Sequence, residues 1–210
     1  MKIKWLGHAS FLIETQEKRI ITDPFDEKTG YQVLPQAVDI ATISHEHWDH
    51  NAVHVLLGNP QVIRGPGNFD LNGISIKGIH SFHDKNQGKN RGSNTMYKIS
   101  SEGINLLHLG DLGQILTSDQ LKDLDNVDIL LIPVGGNYTI DAGDALTVVK
   151  QINPRIVVPM HFKTPHVTIN LAPVEAFTCR FDRCVKKSQL ELNKEDLNQE
   201  PLVIVLDYLY

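Results

Sequence analysis

The order of the strand-like and helix-like segments predicts an α/β fold in which two sheets pack together and helices cover them. Strand-like segments dominate the first half of the 210-residue chain, whereas strands and helices alternate in the second half. No linker, low-complexity tract or run of charge divides the sequence. We therefore expect a single domain over residues 1–210.

Short apolar segments separated by turn residues predict the strands of the first half. They are, in order, KIKWL, SFLIET, RIITD, AVDIATISH, QVIR, GISIKGIH, TMYKIS and INLLHLGD. The segment DHNAVHVLL differs, because its apolar residues have helical spacing. It predicts a helix that begins near Asp49 and ends before Gly58.

Helical and strand-like patterns alternate in the second half. The first helix, SDQLKDL, has Ser118 or Asp119 as its predicted N-cap. The segments that follow are strand DILLIPV, helix DAGDALTVVKQI, strand RIVVPMH, helix PVEAFTCRF and strand LVIVLDY. This alternation favours helices packed over a sheet.

Composition and charge narrow the class of protein. Hydrophobic residues make up 41% of the chain and charged residues 21%, as in ordinary globular domains. The net charge of −5 disfavours a nucleic-acid partner, which usually needs a basic face. No apolar run has the length of a membrane span, and the first segment lacks the features of a signal peptide. We expect a cytoplasmic protein in which Cys179 and Cys184 are unpaired.

The segment SHEHWDH, residues 44–50, concentrates side chains that bind metals. His45, His47 and Asp49 alternate, so on an extended segment they point the same way. His50 breaks the alternation and fits the first turn of the predicted helix, where Asp49 suits the N-terminus. The H-E-x-x-H zinc helix is excluded, because Asp49 stands where its second histidine is required.

Further candidate ligands stand at the ends of other apolar runs, where loops on a rigid scaffold commonly carry active sites. They are His80 and His83 in GIHSFHD, Asp111 in LLHLGDLG and His161 in VVPMHFKT. Two closely spaced divalent ions need more ligands than SHEHWDH supplies. From the residues alone His80 and His83 are equivalent, since both lie at the end of one strand.

Together, H-x-H-x-D-H, a later histidine, Gly-Asp and a late histidine resemble the metallo-β-lactamase-fold superfamily of metal-dependent hydrolases. The similar segments are WLGHASFLIE, ITDP, SHEHWDH, SFHD, RGSNTMY, HLGDLG, LLIPVGGNYTID and VVPMH. Within the superfamily the chain resembles the small stand-alone branch that includes the L-ascorbate-6-phosphate lactonase-like proteins. The resemblance implies a four-layer αββα sandwich with the metals at one edge of the paired sheets.

The resemblance also implies a set of ligands, by position. It makes His45, His47 and His83 ligands of a first metal, makes Asp49, His50 and His161 ligands of a second, and makes Asp111 the bridge between them. It selects His83 over His80. We expect zinc at both positions, while manganese and iron also suit these ligands.

Four other residues are candidates for substrate contact: His8, Arg91, Asn94 and Tyr138. His8 either faces the metal cavity or braces a loop. Arg91 and Asn94 supply a guanidinium and an amide that suit an anionic group. Asp23 either supports a ligand histidine or only opens a turn. We expect His54, His108 and His166 to serve packing or to lie on the surface.

The predicted activity is hydrolysis of a small ester, lactone or phosphodiester by a hydroxide that bridges two divalent ions. Asp111 is shared by the metals, and Asp49 also orients the hydroxide. Two alternatives are a non-catalytic metal-binding or regulatory module and a di-iron redox protein. The redox relatives have a carboxylate where this chain has His47, which disfavours that alternative. Inactive modules usually lack some of the ligands, and none is missing in this sequence. We expect a small-molecule substrate and leave homo-oligomerisation open.

Overall fold

The computed structural model describes residues 1–33, 35–197 and 201–209. The strands of this part of the chain are β1 (Lys2–Gly7), β2 (Ser10–Thr15), β3 (Lys18–Thr22), β4 (Ile40–Ile43), β5 (Gln61–Arg64), β6 (Gly67–Leu71), β7 (Ile74–Phe82), β8 (Ser93–Ser101), β9 (Ile104–His108), β10 (Ile129–Pro133), β11 (Ile156–Met160), β12 (Cys184–Lys187), β13 (Leu190–Glu191) and β14 (Leu202–Leu206). The α-helices are α1 (Ser118–Leu124), α2 (Ala142–Ile152) and α3 (Glu175–Thr178). Short 3₁₀ helices cover Glu27–Thr29, Val53–Val55 and Lys194–Asp196.

The strands form two mixed sheets, as the resemblance implied. A six-stranded sheet has the order β13-β1-β2-β3-β4-β5, and an eight-stranded sheet has the order β12-β14-β11-β10-β9-β8-β7-β6. Each sheet combines antiparallel and parallel pairs, such as β2 with β3 and β3 with β4 in the first. The predicted architecture of two packed sheets with flanking helices is confirmed.

The main core lies between the sheets. Phe11 and Ile13 of β2 pack in one cluster with Ile99 and Leu106 of the other sheet. Leu12, whose side chain points to the opposite face of β2, belongs to a second cluster on the far side of the six-stranded sheet. Burial of each large apolar side chain contributes roughly 1.5–3 kcal/mol. A sheet buried on both faces is a rigid support for loops at its edge.

The helix predicted for DHNAVHVLL is wrong. Only Val53–Val55 forms a short 3₁₀ helix. The backbone N–H of Ala52 donates to Pro24 O at 2.8 Å, and that of Leu57 donates to Gln36 O at 2.8 Å. These bonds to a distant segment replace the bonds of a helix, so helical spacing alone misled the prediction. Asp49 and His50 therefore lie on a loop and not on a helix N-terminus.

Smaller differences concern caps and short elements. The N-cap of α1 is Thr117, whose side chain accepts from Gln120 N in a capping box, and neither Ser118 nor Asp119 has that role. The helix predicted for PVEAFTCRF is limited to α3, and i→i+3 bonds, Ala176 N to Pro173 O and Phe181 N to Thr178 O, occupy the backbone at its two ends. Strands β6, β12 and β13 were not predicted. No described helix is long and apolar enough to cross a membrane.

Candidate metal centre

Five loops that leave strands of both sheets converge at one edge of the sandwich. His8 follows β1, His45 follows β4, His83 follows β7, Asp111 follows β9 and His161 follows β11. Backbone bonds join these loops across the sheets. Thr95 N donates to Ser44 O at 2.8 Å, and His161 N donates to His8 O at 3.1 Å. The two sheets therefore hold these side chains at fixed relative positions.

The first cluster, which we name the His47 group, consists of His45, His47 and His83. One nitrogen of each lies within 4.8 Å of the others. His45 Nε2 is 3.0 Å from His47 Nδ1. His45 and His83 are buried, whereas His47 is exposed. The structure thus brings together the residues that the resemblance implied for the first metal.

The second cluster, which we name the His50 group, consists of His50, His161, Asp49 and His8. His8, His50 and His161 each offer a nitrogen within 4.8 Å of the others. His8 Nε2 lies 3.2 Å from His50 Nε2 and 3.2 Å from Asp49 Oδ2. Of the two roles left open for His8, its position is the one that faces the candidate metal cavity.

Asp111 lies between the two groups. Its Oδ2 is 3.3 Å from Nε2 of His50, 3.3 Å from Nε2 of His83 and 3.5 Å from Nε2 of His161. The turn that presents it needs Gly110, which has a φ of +54°. A Cβ at Gly110 would lie 2.5 Å from Asn94 Oδ1. The local backbone therefore requires glycine at position 110.

Asn94, which the sequence analysis made a candidate substrate contact, lies behind Asp111. Its side chain is fully buried. Its Oδ1 accepts the Asp111 N–H at 3.0 Å, and its Nδ2 donates to Ser81 Oγ at 2.7 Å and to Leu109 O at 2.9 Å. With its amide bonded on both sides, Asn94 supports the Asp111 turn and does not face the cleft.

Asp23 supports both groups through one buried network. Its carboxylate accepts from Ser44 N at 2.7 Å and from Ser44 Oγ at 2.6 Å, and it lies 2.9 Å from His50 Nδ1. Ser44 Oγ is also 2.9 Å from His45 Nδ1. These contacts hold Nδ1 of both rings and direct Nε2 of His45 and of His50 into the site. Of the two roles left open for Asp23, these contacts match support of a ligand histidine.

Electrostatics set the protonation of the cluster. Burial lowers the pKa of His45 and of His161 to about 3, so both imidazoles are neutral near pH 7. Burial also disfavours the cation of His50, but the Asp111 and Asp23 carboxylates raise its pKa well above the usual value. Burial acts against ionisation of Asp111, yet the neighbouring His161 and His50 hold its pKa well below the usual range. His45 and His161 are thus in the neutral form that binds metals, beside an ionised Asp111, whereas His50 has to release a proton when a metal binds.

Three residues of the site have left-handed backbone conformations. The φ angles are +51° at His8, +39° at Asp23 and +52° at His161. Non-glycine residues rarely adopt this region, and it costs free energy that the surrounding fold must supply. Each of the three is buried and bonded to a neighbouring loop. The backbone is therefore bent to aim these side chains.

The remaining histidines lie outside both groups. His80 is exposed, with Nε2 3.3 Å from Ser93 Oγ. His108 is buried, and its Nε2 lies 2.8 Å from Ala9 O. His54 and His166 are exposed. Thus His83 lies with the candidate ligands and His80 does not, a difference that the sequence alone could not supply.

An open cleft of about 340 Å³ leads to the two groups. The residues that line it are His47, Trp48, Asp49, His83, Arg91, Asp111, Tyr138, His161 and Ile169. The Trp48 side chain is 49% exposed, and Arg91 Cζ lies 4.6 Å from the centre of the Tyr138 ring. Sequence reasoning missed Trp48 and Ile169 as lining residues. The position of Trp48 between two candidate ligands was a signal, whereas nothing local marks Ile169.

Comparisons with known proteins show the family of this chain. The model of the beta-lactamase superfamily domain matches residues 2–161. A UPF0173 metal-dependent hydrolase from Alkaliphilus metalliredigens is 30% identical over 94% of this chain and 99% of its own. One from Carboxydothermus hydrogenoformans is 30% identical, over 78% of this chain and 85% of its own.

Solved structures show the same fold. A protein from Thermotoga maritima, assigned to the Zn-dependent hydrolases of the metallo-beta-lactamase superfamily, is 38% identical with a TM-score of 0.82, over 98% of this chain and 99% of its own. An isothiocyanate hydrolase from Delia radicum gut bacteria is 13% identical with a TM-score of 0.68, over 97% and 95% of the two chains, and shares the fold alone. The narrower resemblance to the lactonase-like branch stays an expectation.

Proposed function

We propose that this chain, which belongs to the beta-lactamase superfamily and within it to the UPF0173 family of metal-dependent hydrolases, cleaves a small ester, lactone or phosphodiester at a site for two divalent cations. One observation carries the proposal. Asp111 Oδ2 lies 3.3–3.5 Å from histidine nitrogens of both groups. A single carboxylate placed between two sets of imidazoles can be shared by two closely spaced cations.

The chemistry of the donors fits divalent cations. Zinc is bound by imidazole nitrogens and carboxylate oxygens, and manganese and iron accept the same ligands. Among the described residues Asp111 Oδ1 is buried and has no hydrogen-bond partner. Neither has Nδ1 of His83 or of His161. Buried polar atoms without a partner are costly, and the unpartnered oxygen of Asp111, between the two groups, indicates a missing ligand.

In this proposal the His47 group holds one cation. The other is held by Asp49, His50 and His161, and Asp111 is shared by both. When bound, the two cations supply acidification of water and polarisation of the bond that is cleaved. The protein's part is to hold these donor side chains in fixed positions. Asn94 and Asp23 do this by fixing the Asp111 turn and the His50 ring.

Asp49 is the carboxylate that faces the substrate. Its side chain is 18% exposed, whereas that of Asp111 is 4% exposed. Burial acts against its ionisation, but the hydrogen bond from His8 and the charge of His50 hold its pKa below the usual range. We therefore give Asp49 Oδ2 the role of accepting a hydrogen bond from the attacking water. His8 keeps the carboxylate in place.

The cleft bears on the substrate class. Its volume of about 340 Å³ suits a small molecule, at the lower end of ordinary ligand sites. Trp48, Tyr138 and Ile169 give it apolar walls beside the polar floor. A purely metal-storing module has no need of such an opening. The di-iron redox alternative is disfavoured by an imidazole, His47, at the ligand position where those relatives have a carboxylate.

Elemental analysis combined with hydrolysis assays tests the proposal. Protein purified without added metal is analysed for bound ions, treated with chelator, reloaded with zinc, manganese or iron, and assayed on chromogenic esters, lactones and bis(4-nitrophenyl) phosphate. We expect about two ions per chain. Chelation should abolish hydrolysis, and reloading with at least one of the three metals should restore it. Undiminished hydrolysis by the chelated protein would contradict the proposal.

A matched pair of variants separates ligand loss from damage to the strand. His80 and His83 lie at the end of the same strand, but only His83 belongs to the His47 group. We expect His83→Ala to lose bound metal and hydrolysis and His80→Ala to keep both. Equal behaviour of the two variants would show that the assignment of His83 is wrong.

A further inference from the structure

The segment from Asp84 to Gly92, which follows His83 directly, is built around one carboxylate. Asp84 Oδ1 accepts the backbone N–H groups of Asn86 at 2.7 Å and Gly88 at 3.1 Å. Oδ2 accepts those of Asn90 at 2.9 Å and Arg91 at 2.8 Å. Four hydrogen bonds to one side chain define the shape of this loop.

The loop is also fixed to its surroundings. Gly113 packs so closely on it that a Cβ there would lie 2.3 Å from Asp84 N. Lys85 Nζ pairs with Asp144 Oδ2 of α2 at 2.6 Å. Phe82 O accepts the Gly113 N–H at 2.9 Å. The loop therefore carries its last residues to a fixed place beside the candidate metal centre.

Arg91 is the functional end of this loop. It is the one lysine or arginine among the described residues that line the cleft. Its guanidinium lies over the Tyr138 ring, with Cζ 4.6 Å from the ring centre, and Nη2 approaches Asn137 O at 3.4 Å. Within residues 1–33, 35–197 and 201–209, no carboxylate lies within 4 Å of its side-chain nitrogens. A guanidinium placed at a cleft without a protein counter-ion is available to an anion.

We propose that residues 84–92 form an anion-binding loop, in which Arg91 binds a carboxylate or phosphate group of the substrate and Asp84 is the residue that positions Arg91. This inference rests on the proposed function and specifies its substrate class. Stacking on Tyr138 holds the guanidinium plane and leaves its edge free for two parallel hydrogen bonds to an oxyanion. Arg91 lines the cleft beside the candidate ligands, so an anionic group bound there also fixes the orientation of the substrate.

Three esters that share one leaving group test the inference. They are the 4-nitrophenyl esters of pentanoic acid, of glutaric acid and of 3-phosphonopropanoic acid, assayed with the metal-loaded protein. We expect kcat/KM to be higher for the anionic esters, and Arg91→Gln to reduce that preference about tenfold or more, mainly through KM. If Arg91→Gln lowers kcat/KM more for the glutaric ester, the natural group is a carboxylate. If it lowers kcat/KM more for the phosphonopropanoic ester, the natural group is a phosphate. Lys122→Gln, which removes a surface charge on α1, is the matched control and keeps the preference.

Asp84→Asn tests the positioning role. An asparagine keeps one acceptor oxygen, so at least two of the four backbone bonds are lost. We expect a smaller loss of anion preference than in Arg91→Gln, and no additional loss when Asp84→Asn is combined with Arg91→Gln. If Asp84→Asn instead caused a general loss of folding, it would lower hydrolysis of all three esters, both in the wild-type protein and in Arg91→Gln.

The outcomes separate the inference from the proposed function. If the wild-type protein hydrolyses the esters but shows no anion preference, or if Arg91→Gln keeps the preference, the inference is overturned and the hydrolase stands. If the metal-loaded protein hydrolyses no ester, lactone or phosphodiester, the proposed function fails and the inference fails with it.

Discussion

The two groups of candidate ligands are held to different degrees. In the His50 group, His50, His8 and His161 are at most 2% exposed, and Asp23 fixes the His50 ring from behind. In the His47 group, His47 is exposed, and its ring lies in hydrogen-bond distance of another candidate ligand, His45. Both groups border the cleft, but the three histidines of the His50 group are held more firmly than His47. We therefore expect changes to the buried contacts of the His50 group to have larger effects than changes at His47.

Asp111→Asn is expected to have the largest effect, because it removes the charge that both groups share. We predict a loss of hydrolysis on the order of 10⁴-fold, the scale for removing one member of a catalytic unit. Bound metal should fall as well, measured by elemental analysis. Asp123→Asn, which changes an exposed carboxylate paired with Lys77, is the control. Loss of metal from one group alone would show that Asp111 belongs to that group and is not shared.

Asp23→Asn is expected to distinguish the groups. It replaces the acceptor of the His50 Nδ1 proton, and changes of such supporting partners lower metal affinity or activity about 10–100-fold. Titration with a competing chelator should resolve one weakened and one less affected binding event, because Asp23 reaches His45 only through Ser44. Equal weakening of both events would contradict the difference between the groups.

His50→Ala and His47→Ala should differ in the stability of the metal-free protein. His50→Ala leaves Asp23 buried without its imidazole partner, and we expect the free energy of unfolding to fall by about 1–3 kcal/mol. His47→Ala removes an exposed side chain, and we expect a change within about 0.5 kcal/mol. Urea denaturation of the chelated proteins measures both. Comparable losses would show that the His47 group is as firmly built as the other.

The stability of the metal-free protein should have a maximum near pH 6.5. The pKa of His45 and of His161 is lowered to about 3 in the fold, so below pH 6.5 the unfolded chain binds protons that the folded chain does not, and stability falls. The raised pKa of His50 gives stability that is fully present below pH 6.5 and is lost as the pH rises through the folded value.

Carboxylates add to the acid side of this profile. The pKa values of Asp23 and Asp111 are lowered, so the stability they contribute is present above their unfolded values and is lost as the pH falls through the folded ones. Urea denaturation of the chelated protein from pH 4 to pH 9 measures the profile. Stability that rises steadily towards acid pH would contradict the neutral state of His45 and His161.

Much of the fold was predictable, because most strands carry continuous apolar runs that both faces of a buried sheet require. The exceptions depend on contacts distant in sequence. The segment after His50 has helical spacing, but its backbone bonds to residues 24 and 36. Strand β12 is exposed along its length and carries no apolar pattern. Local pattern is a poor guide wherever tertiary hydrogen bonds or an exposed edge decide the conformation.

The candidate site was predictable where its chemistry is concentrated. Residues 45–50 are close in sequence, so their types alone indicated a metal. The choice of His83 over His80, by contrast, depends on which side of β7 faces Asp111. Arg91 was recognised, but Asp84, which holds its loop, was missed. Asp84 begins a run of asparagine and glycine residues, a common sign of side-chain-to-backbone turns that could have drawn attention to it.

Whether two cations share Asp111 is tested most directly by a crystal structure of the metal-loaded protein, with anomalous data collected at the absorption edge of the loaded metal. We predict two anomalous peaks. One should contact His45, His47 and His83, the other should contact Asp49, His50 and His161, and Asp111 should be bound to both. A single peak after full loading, or two peaks of which only one contacts Asp111, would contradict it.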